Sequence, residues 1–194
     1  MLGDMLKRLR AALGREEVRS ISRRYFISNG FDGTLTAIGI TLGSYLSGVE
    51  PGLRVVKIGL GATAGLATSG VWSVWEIERA EKLADIHDME EQLLHELDQS
   101  TVMERKRYGR AVNAVMSGLG PVIAMLLIIS PFLAEGVLLT MRQAALLSVG
   151  IGVGVLFAFG AYMGRLSRQA WWKAGARMGL AGLVVALINI LLPG

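Results

Sequence analysis

Ala144-Ala-Leu-Leu-Ser-Val-Gly-Ile-Gly-Val-Gly-Val-Leu-Phe-Ala-Phe-Gly-Ala-Tyr-Met163 carries no charge from end to end and is followed at once by Arg165 and Arg168. Its length is close to the ~20 residues that cross a ~30 Å hydrocarbon core as a helix. Outward from it, four more apolar blocks appear, at about residues 25–48, 55–75, 111–134 and 174–192. The short segments between them hold nearly all of the charge. The chain of 194 residues is 52% hydrophobic, with 25 glycines besides, and its mean hydropathy is +0.47. An ordinary soluble domain is roughly 45–50% apolar with glycine already counted. The expectation is an all-α, polytopic membrane protein with five transmembrane helices and a short cytoplasmic helical hairpin between the second and third.

The basic residues orient it. With the N-terminus inside, every one of the 20 lysines and arginines falls on the cytoplasmic side except Arg54, Lys57 and Arg142, as the positive-inside bias requires. Trp and Tyr favour the headgroup zone, and Tyr25, Trp72, Trp75, Tyr108, Tyr162, Trp171 and Trp172 all lie near the expected cytoplasmic ends, with Tyr45 alone at the other face. An integral protein of a prokaryotic plasma membrane, N-terminus cytoplasmic and C-terminus outside, is expected. Residues 1–24 lack the apolar core of a cleavable signal peptide. Leu2, Met5, Leu6, Leu9 and Leu13 recur there at helical spacing among Lys7, Arg8, Arg10 and Arg15, which suits either an amphipathic helix on the membrane surface or a basic flank that sets topology. The chain thus divides into this basic segment (1–24), a first pair of spans (25–77), an acidic helical segment (78–108) and three further spans (109–194). Pairs of small residues four apart, such as Gly39/Gly43, Gly61/Gly65, Gly150/Gly154, Gly160/Gly164 and Gly175/Gly179, read as surfaces where helices approach closely in lipid.

Several function classes are excluded early. There is no cysteine, hence no disulfide, thiolate metal site or cysteine nucleophile. The sequence pI near 9.7 reflects basic residues beside the spans, not a nucleic-acid surface. Phosphate-binding and nucleophile-elbow motifs are missing, and His95-Glu96 is not followed by the second histidine of a zinc-protease helix. The chain reads as non-enzymatic, with no prosthetic group.

Two regions carry chemistry. Asp32, in Ser28-Asn-Gly-Phe-Asp32-Gly33-Thr-Leu-Thr36, lies about two turns inside the first span, where an ionised carboxylate costs roughly 2.5–3.5 kcal/mol on insertion scales. It is expected to line a polar interior, with Asn29, Thr34 and Thr36 adding oxygens, and Gly30 and Gly33 admitting either a neighbouring helix or a hydrated ion. A structural carboxylate bonded to another helix is the competing reading. In the acidic segment, Leu83, Ile86, Leu93, Leu94 and Leu97 form an apolar stripe. His87, Glu91 and His95 stand at four-residue steps on another face, with Asp88 and Glu78 or Glu81 nearby. Carboxylates with imidazoles suit iron(II), manganese(II) or zinc; a solvated face with a Glu78–Lys82 ion pair is the plain alternative. A break near Gln99 and Ser100 precedes Thr101-Val-Met-Glu104, a capping-box pattern for the next helix.

These features resemble the VIT1/CCC1 family of vacuolar-type iron and manganese transporters. The resemblance runs from about Arg24 to Leu192 and rests on Asp32-Gly33 in the first span, Gly59-Leu60-Gly61-Ala62 in the second, the glutamate-containing insert, Gly118-Leu-Gly-Pro121 in the third, and Phe159-Gly-Ala-Tyr-Met-Gly164 followed by Lys173-Ala-Gly-Ala. It implies a homodimer in membrane lipid that moves iron(II), manganese(II) or a similar divalent ion out of the cytoplasm in exchange for protons, with Asp32 on the path and the cytoplasmic carboxylates gathering metal. Glu81 is the insert glutamate that follows the second span in register. The chain departs from the family in carrying Ala62 and Gly70 where better-known members have a second-span glutamate and methionine. That departure leaves a second expectation: a non-transporting scaffold or metal sensor whose acidic hairpin binds a partner.

Overall fold

Glycine, proline and a few polar side chains decide how the helices of this chain meet. The computed structural model describes residues 14–93 and 99–192, without the side chains of residues 90–93 and 99–106. It is all-α, with five long helices: α1 (Glu16–Leu46), α2 (Gly52–Leu93), α3 (Gln99–Ile129), α4 (Met141–Leu166) and α5 (Trp171–Leu191). A 3-10 turn, Ser130–Ala134, extends α3. The amphipathic pattern of residues 1–13 lies outside the described residues, as do residues 94–98, which precede the expected break. Helix α3 already includes Gln99 and Ser100, so the break does not fall at those two positions and Thr101 is not a cap.

Side-chain caps mark the starts of α4 and α2. Thr140 and Gln143 form a reciprocal capping box ahead of α4: the Gln143 amide donates to Thr140 Oγ1 at 3.3 Å, and the Thr140 amide donates to Gln143 Oε1 at 2.8 Å. The first amide of α2, Gly52, donates to Glu135 Oε2 at 2.9 Å, which sets a carboxylate at the positive end of the helix dipole. Gly48, at φ +68, turns the chain out of α1.

Among the described residues, three helical stretches are long and apolar enough to cross a membrane: Arg107–Ala134, Met141–Leu166 and Trp171–Leu191. Helix α1 and the first half of α2 are more dilute in apolar residues, with glycine, serine and threonine in their place. Helix α2 has 42 residues, about 63 Å at the α-helical rise, which is twice the ~30 Å of a hydrocarbon core.

Helix α3 is the hub. Its apolar window is 61% buried, against 33% for α4 and 28% for α5. Helices α1 and α2 both lie along α3, and α5 pairs with α4. Met125, Ile128 and Phe132 of the α3 region pack with Ala37, Val55 and Ala144, while Ile38 and Leu42 pack with Leu156 and Ala186. The outer faces are apolar as well. Leu119, Ile123 and Leu126 on α3 and Leu180, Leu183 and Leu187 on α5 are all exposed, a larger apolar surface than a soluble monomer carries.

The small-residue pairs split into two groups. Gly160 lies against the Ala174–Gly175 backbone and Gly164 against Trp171, which closes α4 on α5. Gly61, Gly65, Gly150 and Gly154 meet nothing within 4 Å among the described residues, so these pairs face away from the packed helices.

Candidate functional site

Several polar groups of the apolar region converge in a seam between α1, α2 and α3. Asn113 and Ser117 stand one turn apart on α3 and therefore share a face. Asn113 Nδ2 donates to Glu78 Oε1 of α2 at 3.1 Å, with Glu78 only 4% and Asn113 only 2% exposed. One turn along, Asn29 Nδ2 of α1 donates to Ser117 Oγ at 2.6 Å, and Ser117 Oγ donates to the Gly70 carbonyl of α2 at 2.9 Å. Pro121, inside α3, has no N–H to offer the Ser117 carbonyl four residues earlier. Polar atoms from three helices thus gather over two helical turns.

A buried carboxylate is tolerated only when it is hydrogen-bonded and its charge is balanced. Asn113 supplies the hydrogen bond. Arg110, one turn before Asn113, stacks over the Trp75 ring at 4.1 Å and lies within electrostatic reach of Glu76 and Glu78. Two polar atoms of this group, Arg110 Nε and Asn113 Oδ1, are buried with no hydrogen-bond partner among the described residues. Within the described residues the seam retains both a donor and an acceptor.

Asp32 lies elsewhere. It is exposed on the outward side of α1, one turn beyond Asn29, and its carboxylate makes no hydrogen bond or ion pair among the described residues. Thr36 does not extend a donor set toward it, because Thr36 Oγ1 donates to the main-chain oxygen of Asp32 at 2.8 Å; Thr34 Oγ1 likewise turns back onto the Gly30 carbonyl at 2.7 Å. Gly30 and Gly33 admit a helix: Gly30 faces Gly120 and Phe159, and a Cβ on Gly33 would stand 2.6 Å from Pro121 Cα. The two glycine motifs at residues 30–33 and 118–121 are the two sides of one contact.

The acidic segment divides as well. Glu78 faces α3, whereas Glu81, His87 and Asp88 are exposed; the side chain of Glu91 and all of His95 lie outside the described residues. Among the described residues, no three of His, Asp or Glu converge. The ion pair expected between Glu78 and Lys82 is replaced, since Lys82 pairs with Asp85 at 3.2 Å and approaches Glu17 at 4.0 Å. Burial works against the Lys82 charge, but the hydrogen bond to Asp85 and the neighbouring carboxylates outweigh it and hold its pKa above the ordinary lysine value. The apolar stripe packs where it is described, with Ile86 fully buried.

Asn113, Ser117 and Arg110 were not singled out in the sequence. Their signal was present: two polar residues four apart at the start of an otherwise apolar block. At the two positions where the chain departs from the VIT1/CCC1 pattern, Ala62 packs beside the core around Met125, and Gly70 lies against Ser117.

No family model matches the chain. It is similar to an uncharacterized protein of Methanocaldococcus jannaschii, 24% identical over 168 residues, which is 85% of this chain and 85% of that protein.

Proposed function

We propose that this chain is a divalent-metal transporter of the VIT1/CCC1 type. It crosses a prokaryotic plasma membrane five times, N-terminus inside and C-terminus outside, and works as a homodimer that exports iron(II) or manganese(II) in exchange for protons. The observation that carries this reading is a carboxylate, Glu78, buried at 4% exposure and held by the Asn113 amide at one end of a polar seam between three helices, with Asp32 on α1. Hard divalent ions take oxygen ligands, and a carboxylate can carry a proton or a metal in turn. The length of α2 supports an insert that projects beyond the bilayer into the cytoplasm. The outward position of Asp32 supports the dimer, because a carboxylate at that depth is expensive against lipid and a second copy would cover it.

Asp32, Asn29 and Glu78 are the residues assigned to the membrane path. Glu81, His87, Asp88, Glu91 and His95 are assigned to metal capture on the cytoplasmic side. A second reading, a scaffold or metal sensor, is favoured by Ala62 and Gly70, which put no ligand side chain at those two positions of α2. The test is iron(II) and manganese(II) flux into proteoliposomes with and without a pH gradient. Flux that follows the gradient and falls to the level of empty vesicles in Asp32→Ala, with the dimer intact, is expected. Absence of flux with either ion from folded, inserted protein would move the assignment to the scaffold reading.

A further inference from the structure

A cavity of about 400 Å³ opens between α1, α3 and α4, away from the polar seam. Its walls are Phe26, Met116 and Phe159, with the Phe26 and Phe159 rings edge to face at 6.1 Å. Arg19 and Arg23, one turn apart on α1, and Tyr162 of α4 complete the lining. The volume is within the range of small-molecule sites, roughly 300–1,000 Å³.

The two arginines differ from other cations of this end. Arg24, Arg110 and Arg165 lie over aromatic rings, at 5.7, 4.1 and 5.6 Å, and Arg79 approaches Glu76 at 3.9 Å. Arg19 and Arg23 take no carboxylate or ring partner among the described residues. Glu17, the acidic residue nearest them in sequence with an ion pair, is turned to Lys82. Two guanidiniums without such a partner among the described residues thus stand at a slot lined almost wholly by carbon. A soluble anion would use the charge and leave the slot idle; an apolar ligand would use the slot and leave the charge idle.

We propose that this slot holds a hydrocarbon tail of an anionic phospholipid, with Arg19 and Arg23 on its phosphate. The inference rests on α1 crossing the bilayer with its N-terminal turns at the cytoplasmic headgroups, where basic pockets between helices take anionic lipids; it does not depend on metal transport. Phosphate in bidentate contact with guanidinium is a strong pairing, and tail burial adds the apolar part.

The experiment uses the full chain purified in detergent, mixed with phosphatidylglycerol or phosphatidylcholine, and native mass spectrometry to count retained lipid. Retention of phosphatidylglycerol over phosphatidylcholine by roughly tenfold or more is expected from two guanidiniums near the headgroup. Arg19→Gln/Arg23→Gln should remove the preference, and Met116→Trp, which fills the slot and leaves both charges, should reduce retention; either variant suffices if the other does not fold. Arg54→Gln/Arg142→Gln, at the other end, should keep the preference. Equal retention of the two lipids, or a preference that survives Arg19→Gln/Arg23→Gln, would overturn the proposal. So would a thermal shift with inorganic phosphate that matches the one with phosphatidylglycerol, since it would mark a free-anion site. Lipid is counted without ion flux, so a protein that selects phosphatidylglycerol but moves no metal separates this inference from the transport reading. Recovery from membranes only with detergent checks the membrane reading itself.

Discussion

The contact of α1 with α3 and the contact of α4 with α5 use the same device for different ends. Both bring backbones together through small residues: Gly30, Gly33 and Gly120 in the first, Gly160, Gly164 and Gly175 in the second. The α4–α5 contact adds apolar and aromatic packing, such as Phe157 edge to face with Trp171 at 6.2 Å. The α1–α3 contact instead sits beside Asn29, Ser117, Asn113 and Glu78. Close approach supplies van der Waals contact in lipid, where no hydrophobic drive exists between helices. Of the two pairs, the first also has buried, hydrogen-bonded polar groups beside it among the described residues, which makes that contact the place to look for ion chemistry.

The sharpest way to break the comparison is to wedge the first contact. A Cβ on Gly120 would collide with the Phe26 carbonyl of α1, a backbone atom that has nowhere to go. Gly120→Val should therefore cost at least about 3 kcal/mol, the upper part of the overpacking range, and yield little monodisperse protein on size exclusion. Normal yield and melting temperature would mean that α1 and α3 are not locked as described.

A smaller effect is expected from the seam itself. Glu78→Ala strands the Asn113 amide, and a buried unpaired donor costs roughly 1–3 kcal/mol; Glu78→Gln retains an acceptor and should cost less than half as much. The difference in thermal melting between the two variants measures the hydrogen bond. A Glu78→Ala variant more stable than wild type would show that Glu78 strains the fold, which would strengthen its assignment to function.

Ser117→Ala removes the link from Asn29 to the Gly70 carbonyl, and about 1 kcal/mol of destabilisation is expected from the typical net value of a hydrogen bond. Equilibrium unfolding would read it. Smallest of all, Gly154→Ala should lie within about 1 kcal/mol of neutral, since nothing stands within 4 Å of it and alanine is the better helix former. Gly160→Ala, one and a half turns further on the same helix, should lower the melting temperature clearly, because its methyl would meet the Ala174 carbonyl. Equal effects at the two positions would erase the distinction between packed and open glycine faces.

Much of this was legible in the chain. The apolar blocks at 111–134, 144–163 and 174–192 coincide with three membrane-length helices, because length and hydropathy are local properties. The pairing of Gly160/Gly164 with Gly175/Gly179 was legible as a tendency, but nothing local distinguished these from Gly61/Gly65 or Gly150/Gly154. The candidate site was legible in part. Asn29 and Glu78 were singled out, but as members of two separate groups: one around Asp32, the other around His87. What joins them into a single seam is α3, through Asn113 and Ser117.

By itself the sequence determined that the chain is helical and apolar, with its charges gathered between the apolar blocks, since periodicity, block length and the placement of charged residues along the chain need no partner to be read. Which way each polar side chain turns was decided only by the tertiary structure. Glu78 and Glu81 are neighbours on one helix with similar chemistry, but one faces Asn113 and is buried while the other is exposed. The same holds for Asn29, drawn inward to Ser117, and Asp32, left on the outer face one turn away. A helix presents residues three apart on overlapping but distinct faces, and only the position of its neighbours settles which of them leaves water or lipid for a hydrogen bond.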